Sequence, residues 1–114
     1  MTTRRVSYFP QEDRRDRRYP LPALVITIGA VEYSTVNWSL GGFLITGFDR
    51  KAVPGQTITG MLRVIDKPAT LPFTATIVRS GDPEPDHLAA KFEDLGELGI
   101  SMLERIITRR LFRG

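Results

Sequence analysis

Apolar and polar positions alternate along several short segments of this chain, and a period of two is the pattern of a strand with one buried face. Residues 57–65 place Ile58, Gly60, Leu62 and Val64 on one side and Thr57, Thr59, Met61, Arg63 and Ile65 on the other. Residues 73–80 repeat the pattern, with Phe73, Ala75 and Ile77 opposite Thr74, Thr76 and Val78. Shorter β-rich runs at 23–28, 31–36, 43–46 and 88–92 add four more strands. Turn signals separate them: Gly29-Ala30, the polar segment 37–42, a loop through Pro54-Gly55, Asp66-Lys67-Pro68, and the acidic, proline-bearing loop 81–86. Six short strands at such intervals predict a closed antiparallel barrel, because closure removes the exposed edges that an open sheet would present.

The period changes near the C-terminus. Asp94 and Glu97 have capping-box spacing, with Asp94 as N-cap and Glu97 at N3. Leu95, Leu98, Met102 and Ile106, followed by Leu103, Ile107 and Leu111, form one broad helical stripe. Arg109, Arg110 and Arg113 fall in the last turn, where cations complement the helix dipole. The sequence thus predicts one amphipathic helix over 94–113, packed across a barrel opening, although the same stripe could serve a partner. At the other end, residues 1–12 are polar and aperiodic and read as a flexible leader. Pro20 and Pro22 hold the following segment extended. The expected organisation is a leader (1–12) and a single domain (13–114), the latter made of an arm (13–22), a barrel (23–93) and the helix.

Composition narrows the class. A chain of 114 residues has the size of one domain and can bury a single core without staples. Cysteine is absent, which excludes disulfides and thiolate metal sites. No apolar run is long enough for a transmembrane helix, and the N-terminus does not lead into a signal-peptide stretch, so a cytoplasmic protein without membrane insertion is expected. The net charge of +3 is unevenly placed. Residues 1–18 hold six arginines against Glu12, Asp13 and Asp16 and carry the whole excess, while the remainder is neutral. Such a run is commonly a solvated tail or a nucleic-acid arm. Here it passes directly into Tyr19-Pro20-Leu21-Pro22 and a strand, which allows it to lie over one face of the fold.

Within that arm, Arg14 and Arg18 have Arg-x-x-x-Arg spacing, and Arg15 and Arg17 sit between them. Guanidinium forks suit phosphate oxygens and the O6/N7 edge of guanine, since their fixed donors form two parallel bonds to either. About twenty residues on, Asn37 offers amide donors and an acceptor, Ser39 a hydroxyl, and Gly41-Gly42 a backbone able to turn sharply or approach a ligand closely. Asn, Ser and Gly are also ordinary turn residues, and the two readings are compatible because a turn presents its side chains. Trp38 alternates with Asn37 and Ser39 and is expected to point into the barrel.

Nothing in the sequence supports catalysis. Ser39 lacks a neighbouring base, because the only histidine, His87, lies in the distant acidic loop and reads as a solvent-exposed residue. No metal site is expected either: a single histidine without cysteine gives no ligand spacing, and Asp82, Glu84 and Asp86 are interrupted by prolines.

Arg-x-x-x-Arg followed by Asn-x-Ser-x-x-Gly, ahead of a run of short strands, resembles the bacterial PilZ domain, a family that binds the second messenger cyclic di-GMP. The resemblance covers residues 12–112. It implies a six-stranded PilZ-type barrel with a C-terminal helix, and an arginine arm that wraps over the barrel to hold the ligand's phosphates and guanine edges. Carried over by position, Arg14 and Arg18 take that role with Arg15 as a helper. Asn37 and Ser39 meet the other guanine and its sugar, and Gly42 is the motif glycine. Asn37 is an amide where many members carry a carboxylate. Arg79 resembles a position near the base, where a guanidinium could stack on a purine; otherwise it is an exposed strand charge.

The resemblance implies a non-enzymatic receptor with no cofactor, which changes the conformation of its arm on binding cyclic di-GMP and signals to a downstream protein. The alternatives are a PilZ-like protein adaptor that binds no nucleotide, and a small nucleic-acid-binding barrel. The neutral body and the scarcity of aromatics on a basic strand face disfavour the last, so no nucleic-acid partner is expected.

Overall fold

A computed structural model of the chain describes residues 17–82 and 84–113, with side chains through residue 109. The leader 1–12 and the first part of the arm therefore lie outside the described residues, as do the side chains of Arg110, Leu111 and Arg113.

Six strands, β1 (Leu24–Ile28), β2 (Val31–Ser39), β3 (Gly42–Ile45), β4 (Thr57–Val64), β5 (Leu71–Ser80) and β6 (Leu88–Asp94), precede one helix, α1 (Gly96–Arg113). They close into a barrel in the order β1-β2-β3-β6-β5-β4, with every neighbouring pair antiparallel. The barrel and helix expected from the periodicity are present. Alternation sends Leu24, Ile26, Phe43, Ile45, Leu62, Phe73, Ile77, Leu88 and Phe92 inward, where they form one buried cluster. Phe43, Phe73 and Phe92 meet pairwise with ring centroids 5.5–5.9 Å apart and tie β3, β5 and β6 together.

Three strands, β2, β5 and β6, are longer than their alternation suggested. β5 begins at Leu71, with the exposed Pro72 near its start, a position a strand tolerates better than its centre. β2 runs through Asn37, Trp38 and Ser39, so the segment 37–42 is not a break between strands. Only Leu40 and Gly41 form the turn, and Gly42 already opens β3. Neither turn residue has a positive φ. Of the glycines in this segment the packing requires Gly42, where a Cβ would run into the Ala90 carbonyl of β6. Its role in the fold is thus a close approach between two strands.

The helix differs in detail from its sequence pattern. Asp94 accepts the Gly96 amide at 2.9 Å, and Gly96 has φ +69°, so an Asx turn leads into a helix beginning two residues after the expected cap. The buried side is formed by Leu103 and Ile107, with Met102 and Ile106 partly buried beside them, and the helix packs on β5. Leu95, just before the helix, joins the same cluster. Leu98 does not belong to it and is 73% exposed. Five residues at about 100° each place it roughly 140° around the helix from Leu103.

The 81–86 loop folds back on itself. Gly81 N donates to the His87 carbonyl at 2.8 Å and His87 N to the Glu84 carbonyl at 3.1 Å. His87 is consequently half-buried, with Nδ1 enclosed, and is not the solvent-exposed residue that its acidic surroundings suggested. Asp86 fastens this loop to the one after β3, accepting the Gly47 amide through its carboxylate and the Phe48 amide through its carbonyl, both at 3.0 Å.

Truncating Leu103 to Ala should cost about 2–5 kcal/mol in urea unfolding, whereas Leu98→Gln should stay within about 0.5 kcal/mol of wild type. Gly42→Ala should destabilise by about 1–3 kcal/mol in the absence of any ligand, because β3 and β6 must separate to admit the methyl group.

Candidate functional site

Asn37 and Arg79 reach the same outer surface because two strands each carry one extra residue. In β2, Thr35 pairs with Ile45 and Asn37 with Leu44, leaving Val36 without an opposite residue. Tyr33 and Thr35 face inward before this bulge, and after it Trp38 does. Uninterrupted alternation from Tyr33 would have turned Asn37 into the core. In β5, Ile77 pairs with Ala90 and Arg79 with Ala89, leaving Val78 as the extra residue. Without that bulge Arg79 would follow Ile77 into the interior. With it, both Val78 and Arg79 are exposed.

The registers then line up two outward rows across four strands. One runs Asn37–Leu44–Ala89–Arg79, and the next runs Ser39–Gly42–Lys91–Thr76. The first row carries its polar groups at the two ends with Leu44 and Ala89 between them, and the second places Gly42 and Lys91 between Ser39 and Thr76.

The arm joins this surface at the β2 side. Beyond Ser34, β2 no longer pairs with β1, and Tyr19 takes the vacated edge: Tyr19 N donates to the Trp38 carbonyl at 2.8 Å and Trp38 N to the Tyr19 carbonyl at 3.0 Å. Trp38 is wholly buried, as its alternation predicted, and its Nε1 donates to the Pro22 carbonyl at 2.8 Å. The Tyr19 and Trp38 rings lie 5.4 Å apart. Two backbone bonds, one indole bond and a ring contact thus hold residues 19–22 to the barrel and bring Arg18 beside Asn37. Arg18 Nη1 donates to Asn37 Oδ1 at 3.3 Å.

Between arm and sheet lies an open cleft of about 350 Å³, lined by Arg18, Ser39, Gly41, Arg79 and Lys91 over a floor that includes Ala89 and Ala90. Ser39 Oγ accepts the Gly41 amide at 3.0 Å, so its hydroxyl hydrogen remains available to donate. Three cations and no carboxylate line the cleft among the described residues. Arg79 and Lys91 form no ion pair among them either. Such a surface suits an anion carrying flat polar rings: ammonium and guanidinium groups for the charge, the exposed Val78 for a ring face, and Asn37 and Ser39 for polar edges.

Of the residues selected from sequence, the structure brings Arg18, Asn37, Ser39 and Arg79 to one surface. Gly42 belongs to the same row but serves the β3–β6 approach. Arg14 and Arg15 lie outside the described residues. Sequence reasoning missed Lys91 and Val78. Lys91 falls at an outward position of β6, between buried Ala90 and Phe92, and its parity was readable. That it faces Gly42 and Thr76 was not, because this depends on pairing. No group of acidic or histidine residues suited to a metal ion occurs among the described residues.

Removing the indole bond tests whether Trp38 fixes the arm. Trp38→Phe should keep the barrel folded by far-ultraviolet circular dichroism, while amide hydrogen exchange at Tyr19 accelerates by about tenfold as the arm loosens. Unchanged exchange would mean that the backbone bridge alone sets the arm's position.

No protein-family model matches the chain, and no curated protein matches it. Among solved structures, it is similar to the Bacillus subtilis inhibitor of motility (MotI/DgrA), with a TM-score of 0.67 and 15% identity. The match covers 84% of this chain and 49% of that one, so the chain spans about half the length of that protein. At this identity the likeness carries architecture alone. The closed six-stranded antiparallel barrel, its C-terminal helix and this structural match together show that the chain has the PilZ-type fold.

Proposed function

We propose that this protein is a receptor for cyclic di-GMP that relays occupancy of its cleft to a partner protein. The observation that carries the reading is the convergence of Arg18, Ser39 and Arg79 on one cleft, with Asn37 held against Arg18 and no carboxylate on the lining among the described residues. A PilZ-like fold is known as a non-enzymatic receptor or adaptor, which agrees with a site of hydrogen-bond donors and cations.

Each residue then has a distinct task. Arg18, with Arg14 and Arg15 from the preceding arm, meets phosphate oxygens and a guanine edge. Asn37 and Ser39 meet the second guanine and its sugar, and Arg79 lies against a purine face. Because Arg18 is joined to the barrel through Tyr19 and Pro22, ligand contacts made by the arginines couple the arm's position to occupancy. That coupling requires the ligand to bind the docked-arm state more tightly than any other. The altered surface would be read by another protein. No helix among the described residues is long and apolar enough to cross a membrane, and the proposal takes the cytoplasm as the setting.

Isothermal titration calorimetry with cyclic di-GMP tests the reading. Wild type should bind saturably. Arg18→Ala and Arg14→Ala should each lose roughly 1–3 kcal/mol, about tenfold or more in affinity. Equal heats in wild type and both variants would refute the model and favour an adaptor that binds no nucleotide.

A further inference from the structure

The cleft holds a cation that the motif residues do not account for. Lys91 is exposed on the outer face of β6, between the buried Ala90 and Phe92, and it lines the cleft with Arg18, Ser39 and Arg79. Its register partners are Gly42 on β3 and Thr76 on β5, both uncharged. Arg79 pairs with Ala89, two residues along β6, so Lys91 and Arg79 occupy diagonal positions on neighbouring strands. Long side chains reach one another across such a diagonal. Neither has an acidic partner among the described residues.

We propose that Lys91 is a phosphate ligand of this site, contributed by β6, and that with Arg79 it forms a cationic wall across the cleft from Arg18. The proposal rests on the nucleotide reading above and extends it. Two like charges on diagonal positions repel, and an anion between them relieves that repulsion while gaining two attractions. The two side chains also differ in chemistry. Arg79 is a planar fork suited to a ring face or a base edge, whereas the Lys91 ammonium is a compact charge with no preference for planar partners. Phosphate is the part of a cyclic dinucleotide that meets the second description.

Geometry adds a direction. Arg18 enters from the β2 edge, where Tyr19 is bonded to Trp38, and Lys91 stands two strands away on β6. A dinucleotide carries two phosphates joined by its sugars, so cations on two sides of the cleft can hold one each. On β3, the strand between them, Gly42 pairs with Lys91 and presents no side chain, while Leu44 stands in the neighbouring row.

Calorimetry of wild type, Lys91→Gln and Lys91→Arg with cyclic di-GMP, in low salt and in molar salt, decides the matter. Lys91→Gln should weaken binding by about tenfold in low salt. The difference should shrink in molar salt, where the Debye length falls to about 3 Å. Lys91→Arg should stay within about threefold of wild type, because the charge is kept. Thermal unfolding without ligand should show Lys91→Gln no less stable than wild type, since the change removes a repulsion. Wild-type binding that Lys91→Gln leaves unaltered at both salt concentrations would overturn this proposal alone. Absence of wild-type binding would overturn both it and the reading on which it rests.

Discussion

A strand's side chains alternate between two faces, and a single unpaired residue reverses that alternation for everything after it. The site depends on this constraint twice. Val36 in β2 turns Trp38 inward and Asn37 outward, and Val78 in β5 turns Arg79 outward. Both reversals occur on strands of one curved surface, so Asn37 and Arg79 end in a single row with Leu44 and Ala89 between them. With either bulge absent, a polar or charged group would point into a core of aromatic and branched side chains, where an unpaired charge cannot be accommodated.

The same reversal connects the core to the arm. Trp38 is buried because the bulge sends it inward, and once there its indole N–H needs an acceptor. The Pro22 carbonyl supplies one, and the Tyr19 backbone closes the exposed edge of β2. Stability and the placement of the arm are therefore linked through one residue: the tryptophan that fills the core also sets where Arg18 stands. Gly42 couples them in another way. It permits β3 to approach β6, and that approach brings Lys91 into the row that ends at Ser39.

Much of the architecture was legible in the chain. The alternation in β4 and β5 identified inward residues because a half-buried strand has a period of two, and the barrel followed from the number and spacing of such runs. The helix was legible from its period, but Leu98 was not, since its membership of the stripe depends on which side of α1 meets β5. The segment 37–42 read as a break because a bulge mimics a turn when no partner strand is visible. His87 read as exposed because its acidic neighbours concealed a loop that folds back on itself.

By itself the sequence determined the class of fold and the chemistry available: strand periods, one amphipathic helix, an arginine-rich arm, and an Asn-x-Ser-x-x-Gly segment able to meet polar rings. These are local properties, written in the order of neighbouring residues. Tertiary structure alone decided that Val36 and Val78 would be the unpaired residues, that Lys91 would lie across from Gly42 and Thr76, and that Arg18 would rest against Asn37. Each of these outcomes compares one strand with another distant in sequence. Register fixes them, and register is set when the whole barrel closes on its core.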